Sequence, residues 1–102
     1  MGKVVYSRRA RQNAIDIYQF YEKLDVETAD RAVQAIVLTL KKLAEHPKAG
    51  RPLIDSARFR ERVIPFGGQG FLALYEISDD GNTITIAAIR HQRQVGYMEE
   101  TS

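Results

Sequence analysis

The chemistry-bearing residues of this chain gather toward its C-terminus, in the stretch IAAIRHQRQVGY, residues 86–97. His91 has an ordinary pKa near neutrality, so it can give or take a proton at physiological pH. Arg90 and Arg93 flank it, and Tyr97 closes the stretch. Two more arginines, Arg60 and Arg62, alternate with Glu61 in RFRERV. Guanidinium forks clamp phosphates and carboxylates in two-point contacts, and a tyrosine can stack on a base. These residue types suit an anionic partner, either nucleic acid or an acidic protein surface. The second histidine, His46, directly precedes Pro47 and reads as the polar end of a helix. No carboxylate–histidine motif frames either histidine and there is no cysteine, so neither a metal nor a cofactor is expected. GGQG, residues 67–70, precedes no helix and reads as a β-turn rather than a phosphate cradle.

Charge is unevenly distributed. The net charge is only +2, yet Lys3, Arg8, Arg9 and Arg11 open the chain as a basic block. Acidic residues dominate 12–40 and 71–85, and basic ones return over 41–70 and 86–97. Basic blocks of this kind can meet in space as one patch. Three arginines in the first turn of a helix oppose its dipole, which leaves them to solvent or to an acidic partner. With 102 residues, 44% apolar and 27% charged, the composition is that of one soluble globular domain, residues 1–102. No apolar run reaches the ~20 residues of a membrane span, and MGKVVYSRRARQ lacks the apolar segment of a signal peptide. A cytoplasmic protein with no membrane partner is expected.

The elements that must position these residues follow from periodicity. Val4–Tyr6 is β-prone, and Ser7 is a suitable cap for a helix running to about Leu24. Ala10, Ala14, Ile17, Tyr18, Tyr21 and Leu24 make one apolar stripe. DVETAD opens a second helix, capped by Asp25 or Thr28 and ended past His46 by Pro47. Its stripe is Ala29, Ala32, Val33, Ile36, Leu40 and Leu43. RERVIPF, GFLALYEI and TITIAAIR are strands, joined by GGQG and by SDDGN with its Asp80-Gly81 turn. The order β-α-α-β-β-β predicts an α+β domain, a helical hairpin packed on one face of a small, mainly antiparallel sheet.

Strand alternation assigns the faces. Phe71, Ala73, Tyr75 and Ile77 share an apolar face for the helices, which leaves Leu72, Leu74 and Glu76 on the other. An uncovered apolar pair on a sheet marks an interaction site, unless Val95, Tyr97 and Met98 of the tail fold over it. In the last strand Ile84, Ile86, Ala88 and Arg90 fall on one face and Thr85, Ala87, Ile89 and His91 on the other. Arg90 and His91 therefore point apart.

Three segments, LKKLAEHPKAGRPL, FRERVIPFGGQGFLALYEI and ITIAAIRHQRQVGY, together with this element order, resemble the RelE/ParE superfamily of toxins from bacterial type II toxin–antitoxin pairs, often described as plasmid stabilisation proteins. The resemblance spans residues 4–97. It implies a cognate antitoxin as partner in a hetero-oligomer, and one of two activities. RelE-like members cut messenger RNA in the ribosomal A site, whereas ParE-like members poison DNA gyrase. For a metal-independent ribonuclease the resemblance implies His91 and Tyr97 as catalytic residues. In such a toxin the guanidinium chemistry makes Arg60, Arg62, Arg90 and Arg93 the expected ligands of the nucleic acid or target, and the open-face pair Leu72 and Leu74 suits an antitoxin segment with apolar anchors among acidic residues. One departure bears on the choice. RelE-like ribonucleases carry a basic residue directly after the aromatic of the Gly-aromatic strand, where this chain has Leu72. Their upstream lysines fall on Val63 and Pro65. A phosphorane there would lack a stabilising charge worth several kcal/mol. The expectation is thus a gyrase poison, with ribosome-dependent RNA cleavage as the alternative.

Overall fold

The helical hairpin starts where the sequence supplies caps. In the computed structural model, which describes residues 2–93, the Ser7 hydroxyl accepts a hydrogen bond from the Ala10 N–H at 3.0 Å and opens α1, Arg8–Glu22. The Asp25 carboxylate accepts from the Thr28 N–H at 2.8 Å and opens α2, Val26–Lys41. That bond holds the Asp25 carboxyl below its ordinary pKa. α2 stops at Lys41, short of the expected His46, and the chain tightens into two single turns of 3-10 helix, Lys42–Ala44 and Pro47–Ala49. Ala10 and Ile17 of α1 are buried, as are Ala29, Ala32, Ile36, Leu40 and Leu43 of the second stripe. Leu24 departs from its stripe at 72% exposure, because α1 ends at Glu22 and the turn carries it outward.

The sheet has five strands: β1 Lys3–Tyr6, β2 Arg51–Leu53, β3 Ser56–Phe66, β4 Gln69–Ile77 and β5 Thr83–His91, in the order β1-β5-β4-β3-β2. β2 to β5 are antiparallel neighbours, and β1 lies parallel to β5. The α+β architecture is the expected one; β2 is an addition, a three-residue edge whose Pro52 hides it from any strand pattern. At the β4–β5 turn Gly81 takes φ 76°, and the Asp80 carboxylate accepts from the Asn82 N–H at 2.9 Å. α1 packs against β5 and α2 against β3. Between them lie Ile64, Phe71, Ala73, Tyr75, Ile84, Ile86 and Ile89, all buried. Each large side chain there contributes about 1.5–3 kcal/mol relative to exposure.

β4 shows its expected faces, with Phe71, Ala73 and Tyr75 in the core. Leu72 and Leu74 are on the opposite face, but Leu72 is not the open patch expected there: it is only 5% exposed, and Leu74 is half-buried. Leu72 stands in register between Val63 and Arg90, and the Arg90 side chain, 14% exposed, lies within the same row.

β5 corrects the alternation outright. Leu74 pairs with Ala88 and Tyr75 with Ile86, so Ala87 is an extra residue, a bulge. Beyond it the parity inverts. Ile89 joins Ile84 and Ile86 in the core, whereas Ala88 and Arg90 turn to the other face. α1 stabilises the bulge. β1 pairs with β5 only as far as Ile86; past that point the Ser7 hydroxyl donates to the Ala87 carbonyl and Asn13 Oδ1 accepts from the Ile89 N–H, both at 2.9 Å.

Candidate functional site

On the face away from the helices, β2, β3, β4 and β5 form a pocket of about 490 Å³. Leu72 and Val63 are its apolar part, Ala49–Gly50 one wall, and Arg51, Glu61, Arg62, Arg90 and Gln92 its polar part. Strand register explains the convergence. Arg51 pairs with Glu61, Glu61 with Leu74, and Leu72 with Arg90, so these side chains share one face. Glu61 is the buried charge of the group, 7% exposed. Its carboxylate accepts from Arg51 Nη2 at 3.1 Å and lies 3.9 Å from Arg90 Nη2. The Arg51 partner is largely exposed and adds little; the Arg90 contact is shielded from water and is felt more strongly.

The wall is held by a tyrosine. The buried Tyr75 hydroxyl accepts from the Gly50 N–H at 2.9 Å and donates to the Pro47 carbonyl at 2.6 Å. Burial pushes its pKa up, so it remains a protonated donor. Arg60 Nη1 donates to the Gly50 carbonyl at 2.8 Å and braces the same loop. A Cβ on Gly50 would fall 2.6 Å from the Tyr75 ring, which is why this closure takes a glycine.

The residues expected to act together are divided. Arg90 and Arg62 line the pocket; Arg60 is a brace for its wall, and Arg93 is exposed past the end of β5. His91 lies on the helix side, its ring centroid 5.2 Å from Phe71, 5.3 Å from Phe20 and 6.0 Å from Tyr21. Burial among these rings pushes its pKa down. Tyr97, Val95 and Met98 lie outside the described residues. Arg51 and Glu61 were missed by motif reasoning. The signal for Glu61 was its place between Arg60 and Arg62, which alternation puts on the opposite face from both; Arg51 had none, since β2 itself was not legible.

The family model for the ParE toxin of the type II toxin–antitoxin system parDE matches residues 4–96. The chain belongs to this toxin family. It is a type II toxin of the RelE/ParE superfamily, and solved relatives share its fold. It is 31% identical over 91 residues to Toxin RelE3 of Caulobacter vibrioides, covering 89% of this chain and 95% of that one. A chain of a chromosomal ParDE TA system from P. aeruginosa superposes with a TM-score of 0.70 at 29% identity, covering 89% of this chain and 96% of that chain. A chain of the toxin–antitoxin complex RelBE2 from Mycobacterium tuberculosis superposes at 0.62 and 20% identity, covering 89% and 98%. Among the described residues, the arginine-rich pocket lies on the face of the sheet away from the helices. The side chain best suited to proton transfer, His91, is on the other face.

Proposed function

We propose that this toxin acts by binding, poisoning DNA gyrase in the manner of ParE, and that its cognate antitoxin neutralises it by covering the Leu72–Leu74 face. The supporting observation is the separation of Arg90 from His91. RNA cleavage needs a base for the 2′-hydroxyl, cations for the phosphorane and an acid for the leaving oxygen, all around one phosphate. Here the arginines converge over Leu72, while His91 is packed against Phe20 and Phe71 across the sheet. A phosphate held by Arg90 over Leu72 would lie on the opposite face of the sheet from the rings that hold His91. The cytoplasm, where gyrase resides, is the proposed site of action, and no helix among the described residues is long and apolar enough to cross a membrane.

A second reading, ribosome-dependent messenger RNA cleavage, is favoured by the name of the Caulobacter relative. The two readings separate on one variant. With gyrase as target, His91→Ala leaves most of the growth arrest in place, and arrested cells show DNA breaks and induction of the DNA-damage response. With RNA as target, the same change lowers A-site cleavage by roughly a hundredfold and toxicity falls with it. Cut messenger RNA without DNA breaks in cells expressing the wild-type chain refutes the gyrase reading.

A further inference from the structure

We infer that the open edge of β1 receives an extended acidic segment of the antitoxin, which joins the sheet as a further strand. The inference rests on the reading that a cognate antitoxin neutralises this toxin, and gives that partner a contact at the opposite edge from β2. β1 ends the sheet and pairs only with β5. Lys3 and Ser7 donate their N–H groups to the carbonyls of Asn82 and Ile86, at 2.8 and 2.9 Å. Backbone direction alternates along a strand, so Lys3, Val5 and Ser7 face β5. The N–H and C=O groups of Val4 and Tyr6 then point outward, with no partner among the described residues. Such edges are ordinarily blunted. β2, at the other end of the sheet, has a central proline and breaks register at Pro52–Leu53. β1 has neither proline nor bulge.

Charge and shape select what can pair there. Between β1 and α2 lies a pocket of about 330 Å³, with Val4, Tyr6, Val37 and Ala44 as its apolar part. Lys3 and Lys41 line it as well, no carboxylate does, and Arg8 follows the strand's last residues. All three cations are exposed and form no ion pair among the described residues. A second copy of this edge would bring the same cations against them, whereas an acidic segment is attracted. An added strand points alternate side chains into the pocket, so the segment that fits carries an apolar residue there and acids beside the lysines. The edge itself selects a peptide over a nucleic acid. Phosphate oxygens only accept, so they answer the two N–H groups and repel the two carbonyls; a peptide backbone answers both.

The test is residue-resolved amide hydrogen exchange on the full-length chain, alone and saturated with its full-length cognate antitoxin. Alone, the Val4 and Tyr6 amides should exchange fast while Val5, bonded to β5, is slow; in the complex Val4 and Tyr6 should slow by about a hundredfold or more. Lys3→Glu and Lys41→Glu, both at exposed positions, should each weaken the complex about tenfold in low salt, with the loss shrinking as salt is raised. Unchanged exchange at Val4 and Tyr6 in a saturated complex overturns strand addition and leaves the Leu72–Leu74 seat standing. A wild-type chain that forms no complex overturns both. Slow exchange at Val4 and Tyr6 in the toxin alone, growing with its concentration alongside a doubled mass, assigns the edge to a second copy and overturns the inference. Wild-type affinity in both charge reversals overturns the acidic occupant.

Discussion

Gly50→Ala is the perturbation that best tests how the pocket wall is held. Gly50 has φ −79° and ψ 154°, extended backbone open to any residue, so alanine meets no backbone strain. All of its cost is contact. The new Cβ would lie 2.6 Å from Tyr75 Cε1 and Oη and 2.7 Å from the Glu61 carbonyl oxygen. Neither neighbour yields easily, since the Tyr75 ring is fully buried and the Glu61 carbonyl belongs to a strand. The loop must lift instead. That breaks the 2.9 Å bond from the Gly50 N–H to Tyr75 and the 2.8 Å bond from Arg60 to the Gly50 carbonyl. Two net hydrogen bonds at about 1 kcal/mol each, plus the overpacking itself, give about 2–4 kcal/mol. For a domain of this size each kcal/mol shifts Tm by about 4–8 °C, so calorimetry should register a fall of at least ~8 °C. Tyr75→Phe keeps the ring and removes only the hydroxyl, leaving the Gly50 N–H and Pro47 carbonyl unanswered, and should cost about 1–3 kcal/mol. Both variants should also weaken the antitoxin complex, because Ala49 and Gly50 wall its proposed seat. A Gly50→Ala protein within ~0.5 kcal/mol of wild type in urea titration would refute the clamp, since changes of that size are typical of unconstrained surface sites.

Other consequences are simpler. Because burial depresses the His91 pKa, the folded state resists a proton that the unfolded chain takes up near pH ~6.5. The stability linked to this group is therefore present above that pH and lost as pH falls through the folded value; Tm should drop on acidification, and His91→Phe should flatten that part of the profile. Ser7→Ala removes both the α1 cap and the bond to the bulge, and should cost about 1–2 kcal/mol, with faster amide exchange at Ala10 and Ile89. Leu74→Lys, chosen because Glu61 stands opposite in register, should weaken antitoxin binding by about 1–3 kcal/mol with the fold retained. An unfolded Leu74→Lys protein would place Leu74 in the core and reverse the face assignment.

Much of this molecule was legible because local rules and tertiary packing agree. Ser7 and Asp25 are strong caps at the starts of two amphipathic stripes, and both helices begin where those caps stand. Asp80-Gly81 marks the last hairpin, and alternation places Phe71, Ala73 and Tyr75 correctly. What escaped depends on contacts distant in sequence. β2 is three residues long with a central proline, and exists because Arg51 and Pro52 find Glu61 and Arg60 on β3. Without it, Arg51 has no address and the pocket no third arginine.

The bulge at Ala87 is the most consequential thing the alternation rule could not foresee. A regular β5 would carry Arg90 to the helix side with Ile84 and Ile86, and would present His91 beside Leu72 on the bare face. A proton donor would then adjoin the row that holds Arg51 and Glu61. The extra residue exchanges the two positions. It is retained because Ser7 and Asn13 satisfy the Ala87 carbonyl and Ile89 N–H where β1 has run out. The residues that begin α1, some eighty positions away in sequence, thereby decide which side chain of the Arg90-His91 pair lines the pocket. With the guanidinium in the pocket and the imidazole among aromatic rings, the geometry supports the proposal of a surface that grips an anion rather than one that transfers a proton.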